Sequence, residues 1–452
     1  MKKSLFALAA LSAVAGSAHA DVSLYGILDA GVAELTHAGD FSPTFVTGAA
    51  PTGGGNYVHS GSATGMINGG EKQTRWGIKG DEDLGNGSKA FFQLESAFSL
   101  GTGQLGTSGL SGASPANSPA VTQPAIGGKG YQMVVDTSLN GQLFGRNAFI
   151  GLSNNEYGAV TFGRQNSLEL DIITSTAGGY DPVNAQMFSP INFSGFYGGG
   201  GTTDSARVDN AIKYSKSLGA YTVQALYGLG GMTGNNTTRS TGEFNLGYEL
   251  NRFGVEFATQ MAKDTTSISQ DPVNGSVAAQ FMNLKSYTLA LRYQVLDPLT
   301  LKAGYQYILQ TGATNYASQI YGGTNATQYM TQVYGYNINQ YYDFSGPKQT
   351  NVFWLGANYQ MTQKTKFSIG MYDAVSKAGT YSGGQQTSGA ANYSTGADRY
   401  YSALVDYDLS KRTNLYFGYM RDVKLGVSAG SYAGANNLST YDTIGGGAVV
   451  RF

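Results

Sequence analysis

The chain has 452 residues, no Cys, a formal net charge of -1 and only 13% charged residues. The balanced charge excludes the large basic field that attracts nucleic acid, and the absence of thiols excludes disulfides, thiolate metal sites and cysteine nucleophiles. After residue 20, no run reaches the roughly 20 consecutive apolar residues that a membrane-spanning helix requires.

The first predicted element is a secretory signal peptide over residues 1–20. Two lysines follow the initial Met, an apolar run covers residues 5–15, and Ala18 and Ala20 supply the small side chains of a cleavage site. The mature chain is therefore predicted to begin at Asp21, after export from the cytoplasm.

The rest of the chain alternates apolar and polar residues in segments of ten or more. The hairpin over residues 286–309 shows the pattern, because the alternation stops at Asp297-Pro298 and then resumes. Its apolar face holds Leu289, Leu291, Leu299 and Leu301, and its polar face holds Thr288, Arg292, Gln294 and Lys302. This period of two predicts a β-hairpin with one face toward an apolar medium and the other toward water.

Sixteen such strands are predicted in residues 21–452. Seven tight turns, such as Leu84-Gly85-Asn86-Gly87, alternate strictly with eight long polar loops. An even strand number with short turns at one end and long loops at the other is typical of an outer-membrane barrel, with periplasmic turns and extracellular loops. No linker divides the segment, so a single all-β, antiparallel transmembrane barrel is predicted, closed from first strand to last because lipid cannot satisfy an open edge.

Charged residues on the strands indicate the lining of this barrel. Alternation places Arg75 and Lys79 inward, opposite Trp76 and Ile78, and it also places Arg207 and Lys213 on one inward face. These bases either line a merely hydrated wall or form a charged ring that sets ion preference.

One further base has an ambiguous direction. Arg146 shares a side with Ile150 and Leu152, which predicts an outward direction unless a bulge at the start of the strand re-aims it. Alternation alone therefore leaves Arg146 unassigned.

Sites of other chemistry are not indicated. The sequence GTGQLG at Gly101 matches a dinucleotide-binding pattern but runs into a flexible loop instead of a helix. His37 and His59 both fall in the first long loop, where no third group would hold a catalytic base. No catalytic residue, metal site or cofactor is predicted.

Several stretches resemble one family over the whole mature chain. They are VSLYGILDAG, TRWGIKGDEDLGNGSKAFFQLE, GRNAFIGLSNNEYGAVTFGRQ, RVDNAIKYSKS and the C-terminal Phe452. The chain is similar to the trimeric general porins of the Gram-negative outer membrane, of the beta-proteobacterial type. The resemblance implies a homotrimer embedded in outer-membrane lipid, and a terminal Phe452 that the barrel-insertion machinery recognises.

The resemblance also implies a pore constriction. In such porins the third long loop, here Asn166 to Ser205, folds into the barrel and narrows it. Matched position by position, the facing arginine wall consists of Arg75, Arg146 and Arg207. Asp171 and Asp181 match acidic loop positions, and Glu169 is an additional acid nearby. The loop lacks the Pro-Glu-Phe turn of some enteric relatives and its centre carries one acid, so the ion preference stays open.

The expected function is passive diffusion of small hydrophilic solutes and ions, without catalysis. A substrate-specific channel is the main alternative, with a sugar stacking on aromatic residues of the third loop. Those aromatic residues are Tyr180, Phe188, Phe193 and Phe196. An outer-membrane barrel enzyme would need a nucleophile and base on the wall, and a secreted soluble β protein would not need detergent for extraction.

Overall fold

A computed structural model shows mainly β-sheet in the residues that it describes. The structure describes residues 21–36, 62–101, 103, 105, 109–111, 143–174, 179–190, 207–231, 237–270, 277–312, 314, 338–344, 347–377, 381–382, 395–425 and 438–452. The predicted signal peptide, both loop histidines, Phe193 and Phe196 lie outside these residues.

The strands and the helix follow one another in this order. They are β1 (Asp21–Leu35), β2 (Ala63–Asn68), β3 (Arg75–Gly85), β4 (Ser88–Ala97), β5 (Gly109–Ser111), β6 (Asn147–Asn154), β7 (Gly158–Asn166), α1 (Leu168–Thr174), β8 (Arg207–Leu218), β9 (Tyr221–Gly228), β10 (Thr241–Leu250), β11 (Phe253–Gln270), β12 (Val277–Leu296), β13 (Leu299–Gly312), β14 (Ile338–Phe344), β15 (Lys348–Gln360), β16 (Thr365–Lys377), β17 (Tyr381–Ser382), β18 (Thr395–Asp408), β19 (Thr413–Leu425) and β20 (Leu438–Arg451). In the described part of the chain, no helix combines the length and apolar character needed to cross a bilayer.

Sixteen of these strands, counted over the described residues, form one closed antiparallel barrel. The barrel contains every strand except β2, β5, β14 and β17, which are short strands that pair within the long loops. The barrel closes where β1 pairs with β20 on one side and with β3 on the other. The prediction of sixteen strands in a closed antiparallel barrel is confirmed.

The two ends of the chain meet at the seam of the barrel. Gly26 and Phe452 exchange two backbone hydrogen bonds of 3.1 Å each. The ring of Phe452 lies over Gly26, since a Cβ built there would be 2.4 Å from the ring. Phe452 is 49% exposed on the outer surface, as the alternation predicts, and its recognition by insertion machinery stays a prediction.

The short turns have the predicted positions. Between β3 and β4, Asn86 and Gly87 have φ values of 52° and 72°. A two-residue turn with both φ positive matches the right-handed twist of a hairpin, which is why Asn-Gly is favoured there. This turn fixes the register of the two strands.

The outer surface carries the apolar face and the interior carries the polar face. Leu289, Leu291 and Leu301 are 43%, 38% and 40% exposed on the outside of the barrel, whereas Ala290 is fully buried inside. The facing assignment of the hairpin is confirmed. The expectation that Thr288 faces water is wrong, because Thr288 is fully buried beneath the third loop.

Candidate functional site

The third long loop enters the barrel directly after β7. The Oγ of Ser167 accepts a hydrogen bond from the backbone N–H of Leu170 at 3.2 Å and so caps α1. The carboxylate of Glu243 on β10 accepts another from the backbone N–H of Leu168 at 2.6 Å. The start of the loop is therefore fixed to the inner wall, which sequence alternation alone does not indicate.

Glu169 anchors the helix to the wall formed by β12 and β13. Its carboxylate accepts hydrogen bonds from Ser286 Oγ at 2.6 Å, Thr288 Oγ1 at 3.0 Å and Gln306 Nε2 at 3.3 Å. Glu169 is fully buried. Its carboxylate is thus directed at the wall beneath the loop, and not across the pore toward the arginines as expected.

Asp181 anchors the loop farther along the same side. Tyr372 Oη donates to its Oδ1 at 2.6 Å, and Lys302 Nζ donates to its backbone oxygen at 3.0 Å. Next to it, Trp354 Nε1 donates to the backbone oxygen of Tyr180 at 3.1 Å. Burial raises the pKa of the Asp181 carboxyl above its ordinary value, although hydrogen bonds from neighbouring hydroxyls oppose that shift. Asp181 is also fully buried and does not line the pore as expected.

The loop lies on the wall opposite the bases. The partners of Asp181 and Tyr180 belong to β13, β15 and β16. Along the ring of paired strands, β13 is the eighth wall strand after β4, which is half of the sixteen. The described residues of the third loop therefore cover the wall across the lumen from β3, β4 and β6.

Two of the predicted arginines converge on one acid of their own wall. Arg146 Nε lies 2.5 Å from Glu95 Oε1, and Arg75 Nε lies 3.3 Å from Glu95 Oε2. Tyr25 Oη donates a hydrogen bond to the same carboxylate at 2.9 Å. The side chains of Arg75 and Arg146 keep 19% and 12% of their surface exposed. Their mutual repulsion is thus compensated by Glu95, whereas acids of the loop were expected to do so.

Sequence reasoning missed Glu95, although a signal exists. The Asn86-Gly87 turn sets the register of the hairpin and places Glu95 directly opposite Gly77, two residues from Arg75 on the inward face. Reading this register from the turn would have placed Glu95 beside Arg75 on the inner wall.

Arg146 lies just before β6, and this position explains why alternation left its direction ambiguous. Its backbone N–H donates to the backbone oxygen of Glu95 at 3.2 Å, and regular β6 begins only at the next residue. Ile150 and Leu152 farther along β6 are 65% and 56% exposed on the outside. Alternation along β6 therefore does not determine the side of Arg146, which faces Glu95 inside.

A bulge in β8 breaks the predicted alternation around Arg207. Asn210 has a φ of 50°, and the register with β7 shifts at this point. As a result Val208 shares a buried cluster with Ala211, and Arg207 does not share the face of Lys213 by simple alternation. Arg207 itself is 6% exposed. The inward assignment of Lys213 holds, but the alternation argument for Arg207 is wrong because it counted no bulge.

Asp171 is the one predicted loop acid that reaches the basic side in the described residues. Its carboxylate forms an ion pair with Lys213 Nζ on β8 and accepts a hydrogen bond from Asn166 Nδ2 at 3.0 Å. Lys79 is exposed on the inner face of β3, with its Nζ 5.4 Å from the centroid of the Tyr25 ring. One side of the lumen thus carries Lys79 on β3, Arg146 just before β6 and Lys213 on β8.

The aromatic residues named for a sugar site have other roles where the structure describes them. Tyr180 and Phe188 are 4% and 0% exposed. The ring of Phe188 packs edge-on against Tyr416, with the two centroids 6.5 Å apart. These two side chains hold the loop to the wall and offer no open ring face to a solute.

Comparisons with known proteins agree with this architecture. A model of the family described as Gram-negative porin matches residues 7–424. An outer membrane porin protein of Bordetella pertussis is 28% identical over 463 residues, covering 94% of this chain and 97% of the relative. Major outer membrane protein P.IB of Neisseria meningitidis serogroup B is 41% identical over 100 residues, which are 22% of this chain and 25% of that protein.

Solved structures share the fold at low identity. An anion-selective porin from Comamonas acidovorans has a TM-score of 0.55 at 17% identity, covering 96% of this chain and 100% of the other. OmpT, an outer-membrane protein of Vibrio cholerae, has a TM-score of 0.56 at 13% identity, with 96% and 99% covered. At these identities the likeness establishes the barrel fold alone.

Proposed function

The chain belongs to the Gram-negative porin family, and we propose that its pore favours anions at a constriction between the third loop and the wall carrying Arg75 and Arg146. The protein is an outer-membrane channel for the passive diffusion of small hydrophilic solutes.

The observation that carries the proposal is the separation of bases and loop acids. Arg75, Arg146 and Glu95 together leave one positive charge on the wall, and Lys79 adds another that is exposed. Glu169 and Asp181 are fully buried beneath the loop on the opposite side. The net positive charge therefore faces water in the lumen, where it attracts anions. The similar structure from Comamonas acidovorans is that of an anion-selective porin.

A general channel fits the site better than a sugar-specific one. A specific site would present open aromatic faces and convergent polar groups to its ligand. Tyr180 and Phe188 are buried in the packing of the loop, which supports selection by size and charge. Titration with sugars should leave the single-channel conductance unblocked.

We also propose that the channel is a homotrimer without catalytic activity or cofactor. The resemblance to trimeric general porins supports the assembly, and a trimer form is known for the similar fold of Vibrio cholerae OmpT. Light scattering of the detergent-solubilised protein should give three times the protomer mass.

The ion preference is tested by replacing Arg75 and Arg146 together with Ser. Removing two permanent positive charges should move the selectivity toward cations and widen the constriction, which raises the conductance. The measurement is the reversal potential across a salt gradient in a planar bilayer, for wild type and the double variant. The difference should shrink at about 1 M salt, where the screening length is about 3 Å.

A matched control replaces Arg399 and Arg421 with Ser, which removes positive charge from the outer surface only. Arg399 and Arg421 are exposed and pair with Asp373 and Asp442 on neighbouring strands. The control should leave the reversal potential unchanged. An unchanged reversal potential of the variant that lacks Arg75 and Arg146, measured at low salt, would show that the selectivity arises elsewhere.

A further inference from the structure

A second segment inside the barrel holds the far part of the third loop. Residues 69–74, which link β2 to β3, turn inward and are called the inner segment here. Three hydrogen bonds join it to the third loop: Gln186 N–H to Glu71 O at 2.9 Å, Met187 N–H to Gly70 O at 2.8 Å, and Lys72 Nζ to Asn184 O at 2.7 Å. Residues 184–187 of the third loop are therefore held by another loop, which itself must be fixed.

Asp29 on β1 fixes the inner segment. Its Oδ2 accepts hydrogen bonds from the backbone N–H groups of Glu71 at 2.8 Å and Lys72 at 2.6 Å. Its backbone oxygen accepts hydrogen bonds from the N–H of Gly69 and the Oγ1 of Thr74, both at 2.9 Å. Asp29 is fully buried, so water does not compete for these groups.

Tyr416 on β19 connects Asp29 to the third loop by a second route. Its Oη donates to Asp29 Oδ1 at 2.8 Å, and its ring contacts that of Phe188 edge-on. Gly70 allows this close packing, because a Cβ at that position would lie 2.3 Å from the Tyr416 hydroxyl. Both carboxylate oxygens of Asp29 thus support residues 184–188, one through the inner segment and the other through Tyr416.

From these contacts we propose that Asp29 is a positioning residue of the channel. Through the inner segment and Tyr416 it holds residues 184–188 of the third loop against the wall, and so it keeps the constriction at a constant width. Its carboxylate satisfies three donors in a buried place, and no neutral side chain of the same size can accept all three at once. The inference rests on the proposed function, since it assumes that the third loop sets the constriction.

The test replaces Asp29 with Asn, which keeps the shape of the side chain. The amide nitrogen cannot accept, so either the Tyr416 hydroxyl or the backbone N–H groups of Glu71 and Lys72 lose their acceptor, and the negative charge that strengthened these bonds is lost in both cases. We expect the fraction of time spent in sub-conductance states to rise about tenfold in planar-bilayer recordings, because the loop leaves its position more often. The heat-modifiable gel mobility of the folded barrel should not change.

Asp442→Asn is the matched control. Asp442 on β20 also accepts a tyrosine hydroxyl, from Tyr419 at 2.6 Å, but it pairs with Arg421 on the outer surface. The Asp442→Asn variant loses the same negative charge as Asp29→Asn, but at a position on the outer surface and away from the third loop. Its current traces should therefore match those of the wild type.

A second variant covers the case in which Asp29→Asn does not fold. Lys72→Met removes only the contacts of one ammonium group, including the bond to Asn184 O, and should also increase the time in sub-conductance states. Equal behaviour of wild type and Lys72→Met, or of wild type and a folded Asp29→Asn, overturns the inference. Because this readout does not depend on the sign of the permeating ion, it is independent of the reversal potentials that test the proposed ion preference.

Discussion

Glu95→Gln is the most direct perturbation of the charge that the wall presents to the pore. Glu95 lies between Arg75 and Arg146 and accepts hydrogen bonds from Arg146 and Tyr25. Gln has nearly the same shape and keeps an acceptor oxygen, so the two arginines stay close to their positions. The variant raises the net charge of this trio from +1 to +2.

The size of the effect follows from the distance between the changed charge and a passing ion. At about 7 Å in water, one unit charge changes the energy of a monovalent ion by about 0.6 kcal/mol, from 332/(80 × 7). The change favours anions and disfavours cations by the same amount. The anion-to-cation permeability ratio should therefore rise roughly sevenfold at low salt.

The assay is the reversal potential across a salt gradient in a planar bilayer, compared with the wild type and with Asp442→Asn. At about 0.1 M salt the screening length is about 10 Å, so the effect should be visible, and at about 1 M it should largely disappear. A shift toward cations, or the same shift in the outer-surface control, would refute the idea that Glu95 limits the positive field of the pore.

Three further results are expected. Leu289→Arg on the lipid face should lower the free energy of unfolding by about 2 to 4 kcal/mol near the midplane. Thr222→Arg should cost little, because Thr222 on β9 alternates with the exposed outer residue Tyr221 and so faces inward; folding titrations measure both. Deleting Phe452 should strongly reduce the amount of the protein in the outer-membrane fraction of cells. It should lower the free energy of unfolding only modestly, since one ring over Gly26 contributes about 1.5 to 3 kcal/mol. Burial raises the pKa of the Asp181 carboxyl in the anchored loop above the value of about 3.9 that it would have when the loop is released. The anchored loop therefore binds the proton more tightly than the released loop, and lowering the pH from the raised pKa to about 3.9 should stabilise the anchored loop. Asp181→Asn should remove this part of the pH dependence of the time spent in sub-conductance states. An equal pH dependence in the wild type and in Asp181→Asn would contradict a role of Asp181 in anchoring.

The barrel wall could be predicted from the sequence because two independent signals agree. Alternation gives the face of each residue, and turns such as Asn86-Gly87 give the ends of the strands and their register. Lipid outside the barrel then excludes an open sheet, so closure follows from the chemistry of the medium. The same logic does not reach Arg207, since the bulge at Asn210 adds one residue and changes the side on which its neighbours lie.

The loop acids could not be placed because their surroundings come from distant parts of the chain. Ser286 and Gln306, which satisfy Glu169, are more than one hundred residues away in sequence. Tyr372, which donates to Asp181, is 191 residues away. No local pattern reports such partners. A match of position to related porins identifies an acid, but it does not say whether the carboxylate faces water or a wall.

The anchoring of the loop and the positive field of the pore have one physical cause. A buried carboxylate must be satisfied by donors, and the wall beneath the loop supplies them as hydroxyl and amide groups, as for Glu169. The acids that hold the loop therefore turn away from the lumen. On the opposite wall, Glu95 compensates only part of the charge of Arg75 and Arg146. If Glu169 and Asp181 instead faced the lumen, their two negative charges would cancel the remaining charge of that trio and the charge of Lys79, and the constriction would lose its preference for anions.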